Sequence, residues 1–357
     1  MTAYKVPALP PAESTPTSQR PVTDSLRPAA PSRFATFRAS WPGRITGLAL
    51  AILPLVWLSR QIHWRDVADA TTRIGPRNLV LACLCQIGAI FVGAVRWRVL
   101  LRSYGADPHK LPGLLELFRH AMVGIYFAVL PSGFVGEAVR GIRVAHCLPS
   151  PSTSYIVILV ERIAGLTGLL ILAGAGALAL PGDGDGNRAI AFTMNLAVAA
   201  SVGLLFVVFV LPQFANRMPR VSKLVSRVPI AGPILAKIPA AVDLRGPALA
   251  VLLSLGTQGF AILVVFALIS PLDAAATLGA CMSVVPVIIL VTYIPLTPGG
   301  LGQREIAFVF FFALIHVAGA NAVAASLALF VVSTVVALLG GVVLLSERFF
   351  ISGQPAE

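Results

Sequence analysis

Apolar residues in this chain run in blocks that no soluble core element needs. Leu79–Val95, Ile156–Leu180, Ala189–Leu211, Ala248–Ile269 and Ala322–Leu345 are each almost continuously apolar. A helix crossing about 30 Å of hydrocarbon takes about 20 such residues, so each block predicts a membrane-spanning helix. A shorter block, Ile45–Leu58, is expected to span with interfacial help from Trp41 and Trp57. Two more apolar regions, Leu111–Ala145 and Ala274–Val317, are interrupted near their middles by Pro and Gly. They predict Gly/Pro-broken hairpins, re-entrant or fully spanning.

Composition narrows the class. Of 357 residues, 57% are apolar and 12% charged, with a mean hydropathy of +0.87, whereas soluble domains carry about 45–50% and about 25%. A soluble enzyme is excluded, and so is a disordered chain, because Leu, Ile, Val and Phe abound. Four scattered cysteines make no disulfide framework. The expected fold class is an all-α polytopic membrane protein with about six full transmembrane helices and two Gly/Pro-broken hairpins. Residues 1–40, rich in Pro, Ser and Thr, read as a disordered tail. The membrane domain is expected over 41–345, with a basic amphipathic loop at 212–246 and a short tail at 346–357.

The net charge of +12 is not that of a nucleic-acid binder, since no basic run is interleaved with aromatics or carries a binding motif. It reports topology instead. Lys5 to Arg44 precede the first span, Arg96, Arg98, Arg102 and Lys110 follow the second, and Arg217 to Arg245 follow the fourth. Cytoplasmic flanks hold Lys and Arg preferentially, so both termini are expected in the cytoplasm. Arg65, Arg73 and Arg77 in the first loop run against this assignment.

An internal repeat accompanies that topology. Leu130-Pro-Ser-Gly-Phe-Val-Gly-Glu137 aligns with Leu296-Thr-Pro-Gly-Gly-Leu-Gly-Gln303, each inside an interrupted apolar region. The chain therefore reads as two inverted repeats, about 45–180 and 189–345. Paired Gly/Pro-broken helices at corresponding positions point to a transport site between the halves, because non-helical backbone at membrane depth is tolerated only against protein or a water-filled cavity.

Ionisable residues at depth collect around these breaks, and intramembrane charges mark pathways. Glu137, Arg140 and Arg143 follow the first break, and Arg304 and Glu305 follow the second. Glu161 and Arg162 lie inside a span, where Glu161, Gly165 and Gly168 share a face that lets another helix approach. Glu116, Arg119 and His120 share a face of the first hairpin, and His316 reads as a packing residue. The candidate binding set is Gly133, Gly136, Glu137, Arg140, Glu161, Arg162, Pro298, Gly299, Gly300, Gly302, Arg304 and Glu305. Glutamates would orient the arginines or take a proton, and guanidiniums with helix starts near Gly133 and Gly299 would hold a phosphate. There is no Gly-x4-Gly-Lys-[Ser/Thr] loop, no His-Glu-x-x-His and no paired Cys-x-x-Cys, so no cofactor or metal is expected.

Four motifs in order carry a family resemblance: Arg96-Trp-Arg-x-Leu-Leu101, Pro131-x-x-x-x-Gly-Glu-x-x-Arg140, Glu161-Arg-x-x-Gly-Leu166 and Pro295-x-Thr-Pro-Gly-Gly-Leu-Gly-x-Arg-Glu305. Over residues 45–345 the chain resembles the lysylphosphatidylglycerol synthase transmembrane family, also called the flippase-like domain family. The resemblance implies a bacterial inner-membrane protein that moves an anionic phospholipid or a lipid-linked headgroup between leaflets. The chain ends at Glu357, soon after the last apolar block, so the soluble aminoacyltransferase domain of the synthases is expected to be absent, and with it enzyme activity. Two other readings stay open. One is a non-transporting scaffold that docks biosynthetic enzymes on its cytoplasmic basic loops. The other is an intramembrane transferase using Glu161 and His120 as its acid/base pair.

Overall fold

A computed structural model describes residues 64–128, 135–178, 245–292 and 302–352, with four single positions between 195 and 203. The tail 1–40, the span expected at Ile45–Leu58, all but those four positions of the span expected at Ala189–Leu211, loop residues 212–244, and Gly133, Pro298, Gly299 and Gly300 lie outside the described residues. Among the described residues all regular structure is helical. The helices are α1 (Trp64–Ser103), α2 (Leu114–Ala128), α3 (Val135–Val144), α4 (Pro151–Leu178), α5 (Arg245–Ile269), α6 (Leu278–Thr292), α7 (Gln303–Ala313) and α8 (Gly319–Ser352).

Four of them, α1, α4, α5 and α8, are long and apolar enough to cross a membrane. The others are shorter over their described residues. Even the 15 residues of α2 or α6 rise only about 22 Å. α1 is two helices joined at Gly75, which takes φ 69 and ψ 157 ahead of Pro76. A residue before proline is pushed out of the helical region, and glycine tolerates the resulting conformation. The first loop, expected before Leu79, is therefore helical from Trp64, seated by Val67, Ala70 and Ile74.

Two buried clusters place the short helices. One joins Trp97, Leu100 and Leu101 near the end of α1 to Leu117 of α2, Val144 at the end of α3, Ile156 and Val157 near the start of α4, and Ala250 near the start of α5. Another joins Ala70 and Ile74 of α1 to Leu268 and Ile269 at the end of α5, Cys281 of α6, Phe308 and Phe312 of α7, and Ala322 and Ala325 of α8. The α2–α3 hairpin thus opens at one end of the bundle and the α6–α7 hairpin at the other.

Small residues set the helix spacing, as in membrane bundles generally. A methyl group at Gly168 would lie 2.8 Å from Ser254 Cβ of α5, and one at Gly340 of α8 would collide with the Met122 carbonyl of α2. Ser283 Oγ of α6 donates to the Gly176 carbonyl of α4 at 2.6 Å. At the end that holds the α6–α7 opening, Arg73 donates to Asn321 Oδ1 at 3.0 Å, and Asn321 Nδ2 donates to the Leu272 carbonyl at 3.1 Å. The Arg73 charge that disturbed the topology count is thus engaged by the fold.

Three expectations shift. α5 begins at Arg245, so the last two residues of the expected 212–246 loop are helical. α8 continues through Ser352 rather than ending near 345, anchored by an ion pair between Glu347 and Arg143 at 2.9 Å. His316 is exposed in the turn after α7 with φ 63. It is not a packing residue, because the reversal into α8 needs a left-handed position, which histidine enters more readily than most residues.

Replacing Gly340 with Val should force α2 and α8 apart and cost about 1–3 kcal/mol or more, as overpacking does. Gly259, around which a methyl group would meet nothing within 4 Å, supplies the contrast. G259A should hold or raise the melting temperature in detergent while G340V lowers it.

Candidate functional site

The α2–α3 hairpin, α1, α4 and α5 enclose a cavity of about 320 Å³. Its charged wall is built from glycine contacts. A methyl group at Gly136 of α3 would collide with the Gly124 carbonyl of α2, and one at Gly124 would lie 2.8 Å from the Arg140 methylenes. Two glycines therefore press α3 onto α2 and lay Arg140 across the interface toward α4. Glu137 and Arg140 share a face of α3 at i and i+3, and both line the cavity.

α4 contributes Glu161, eight residues or about 12 Å past the start of the 24-residue apolar stretch Thr153–Gly176. Its side chain is 7% exposed and stands between two arginines. Arg96 of α1 donates to Glu161 Oε1 at 2.9 Å and Arg140 to Oε2 at 2.8 Å. Arg96 also donates to Ser254 Oγ of α5 at 2.8 Å and Thr257 Oγ1 at 3.4 Å. Gln258 of α5 reaches the Gly165 carbonyl at 3.2 Å, at the small face where α4 and α5 meet. Arg140 further donates to Glu137 Oε2 at 3.1 Å and sits 4.3 Å over the Trp97 ring, a geometry that attracts a cation. Arg162, next to Glu161 but turned along the helix, donates to Glu137 Oε1 and is 55% exposed.

Three guanidiniums thus face two carboxylates, leaving one positive charge in excess. Burying such groups is tolerated only when they are paired and hydrogen-bonded, and Glu161 supplies the pairing for both inner arginines. Among the described residues, the buried Nε atoms of Arg96 and Arg140 have no partner. The arrangement can hold one anionic group, for which arginine's planar fork is suited.

The structure brings together Gly136, Glu137, Arg140, Glu161 and Arg162 from the candidate set. It places Gly302, Arg304 and Glu305 elsewhere, at the start of α7. There Glu305 accepts from Gly302 N at 2.8 Å and from Arg304 at 2.7 Å, while Arg304 Nε donates to Ser326 Oγ of α8 at 3.0 Å. This cluster caps a helix and ties it to α8, and none of its residues lines the cavity. Glu116 and Arg119 are exposed on α2. His120 is also absent from the cavity lining, so it does not meet Glu161 there. Among the described residues no group of three or more His, Cys, Asp or Glu is placed to hold a metal ion.

Arg96, Trp97, Thr257 and Gln258 were not in the candidate set. Arg96 had served as a topology marker, yet it lies seven residues inside the end of α1, too deep for an interfacial charge to be free of cost. The polar Thr257-Gln258 step in the middle of an apolar block carried the same signal.

A family model described as the lysylphosphatidylglycerol synthase TM region matches residues 44–341. No curated protein and no solved structure matches the chain.

The charge network should behave as one unit. E161Q is expected to cost about 3–5 kcal/mol, the penalty of leaving buried Arg96 without a carboxylate, and R140Q less, because Glu161 keeps Arg96 and Glu137 keeps Arg162. The double variant should cost clearly less than the two together. Thermal unfolding of the four proteins in detergent reads this coupling, and strict additivity would contradict it.

Proposed function

The chain belongs to the lysylphosphatidylglycerol synthase transmembrane-region family, membrane proteins of lipid metabolism or translocation, and from that premise we propose that it moves an anionic phospholipid or lipid-linked headgroup between leaflets. The observation that carries this reading is the excess positive charge on a cavity enclosed by the α2–α3 hairpin and three membrane-spanning helices. A headgroup phosphate enters beside half-exposed Arg162 and reaches Arg140, while the acyl tails stay in the bilayer. Arg96 and Glu161 hold the inner wall fixed.

Two hairpins opening at opposite ends of the bundle support a reading in which the halves are inverted repeats that rock against each other. The hairpins then take turns exposing the interior. Arg98, Arg102, Lys110 and Arg245 gather at the end where the α2–α3 hairpin opens, which supports a cytoplasmic placing for that end and for both termini. In this reading the protein is a transporter of the inner membrane, with no catalysis of its own. Biosynthetic enzymes docked on the basic segments would supply or consume its lipid. A transferase reading is disfavoured because Glu161 is clamped by two arginines and His120 is absent from the cavity lining.

The test is leaflet exchange of a fluorescent phosphatidylglycerol in liposomes holding the purified chain. Exchange should exceed that in protein-free liposomes. R162Q, which removes the most exposed guanidinium while Glu137 keeps Arg140, should slow it about tenfold, the equivalent of one phosphate contact, without lowering the melting temperature. Exchange no faster than in protein-free liposomes would overturn the reading.

A further inference from the structure

We infer that Glu137 is an anion the fold itself supplies at the place the substrate's phosphate takes, which makes it the residue that sets the site's selectivity for negative charge. The inference deepens the translocation reading and rests on the same cavity. Both Glu137 oxygens are spent on guanidiniums, Oε2 on Arg140 at 3.1 Å and Oε1 on Arg162. A phosphate presents the same forked, charged acceptor to the same two groups.

The two carboxylates of the network differ in whether they can let go. Glu161 is 7% exposed and holds both Arg96 and Arg140, so its release would strand buried Arg96, which has no second carboxylate among its ion pairs on the described residues. Glu137 is 21% exposed and lines the cavity. If it turns away, Arg140 keeps Glu161 at 2.8 Å and the Trp97 ring at 4.3 Å. Arg162 is already half in the open. Releasing Glu137 therefore leaves no buried charge without a partner, while it frees one Arg140 donor and the Arg162 fork. A neutral polar group brings nothing that can replace a carboxylate between two guanidiniums. A singly charged phosphate does.

Three consequences distinguish this role from a structural one. Removing the carboxylate must tighten the site for phosphate, leave it indifferent to an uncharged analogue, and preserve the fold. The probe is sn-glycerol 3-phosphate, with glycerol as the uncharged control, titrated against the full chain in phosphatidylcholine nanodiscs. E137Q should bind glycerol 3-phosphate about fivefold more tightly than the native protein, the ratio set by removing a partly exposed ion pair, with glycerol unaffected. E137D, one methylene shorter, loosens the hold on both arginines without removing the charge, and should tighten binding by a smaller factor. It carries the test if E137Q does not fold. Equal or weaker binding in the variants, or no binding in any of them, overturns the inference.

Leaflet exchange of phosphatidylglycerol by the same proteins separates the two levels. If glycerol 3-phosphate binding tightens but neither protein exchanges lipid, the competing role of Glu137 stands for a soluble phosphate and the translocation reading falls. If lipid exchanges but the Glu137 variants bind glycerol 3-phosphate no better, translocation stands and the competing role falls.

Discussion

The Glu161 carboxylate, buried between Arg96 and Arg140, is the constraint around which the described helices are arranged. A charge this deep is costly alone; Arg96 has its ion pair from Glu161, and Arg140 divides its donors between Glu161 and Glu137. The three groups come from α1, α3 and α4, so satisfying one carboxylate fixes three helices. Ser254 and Thr257 draw α5 into the same arrangement through Arg96. The same network also fixes where a cavity can open, because its guanidiniums have to be reached from somewhere.

Packing supplies the geometry that this electrostatics requires. Helices in lipid gain nothing from hiding apolar surface from one another, so they associate where small residues let backbones approach. The contacts of Gly124 with Gly136, Gly168 with Ser254, and Gly340 with Met122 are of this kind. The first of them sets the reach of Arg140. The described residues of α2 rise only about 22 Å, and α3, packed on α2 and α4, places Glu137 and Arg140 within the bundle. Substitution of either glycine would therefore disturb the charge network before it touched a charged residue.

The α6–α7 hairpin uses similar chemistry for a different end. Glu305 accepts from the Gly302 amide and from Arg304, so its charge is spent on starting a helix. Motif likeness alone ranked this pair with the other. What separates them is their neighbours: Arg140 faces a carboxylate on another helix and a cavity, whereas Arg304 lies against Ser326 and, at 5.5 Å, the Phe330 ring.

The order of apolar blocks was enough to determine a helical membrane protein, because hydrocarbon leaves the backbone no alternative to helices of defined length. Intramembrane cost likewise singled out Glu137, Arg140, Glu161 and Arg162, since charges at depth are rare whatever surrounds them. Which of these charges meet was decided only by the tertiary structure. Arg96 and Glu161 are 65 residues apart on helices whose contact depends on the packing of a third, and nothing local in either segment encodes it. The same holds for the separation of Arg304 from the cavity. Depth is a property of one segment read against the bilayer, and so it is written in the sequence; partnership belongs to the assembled bundle.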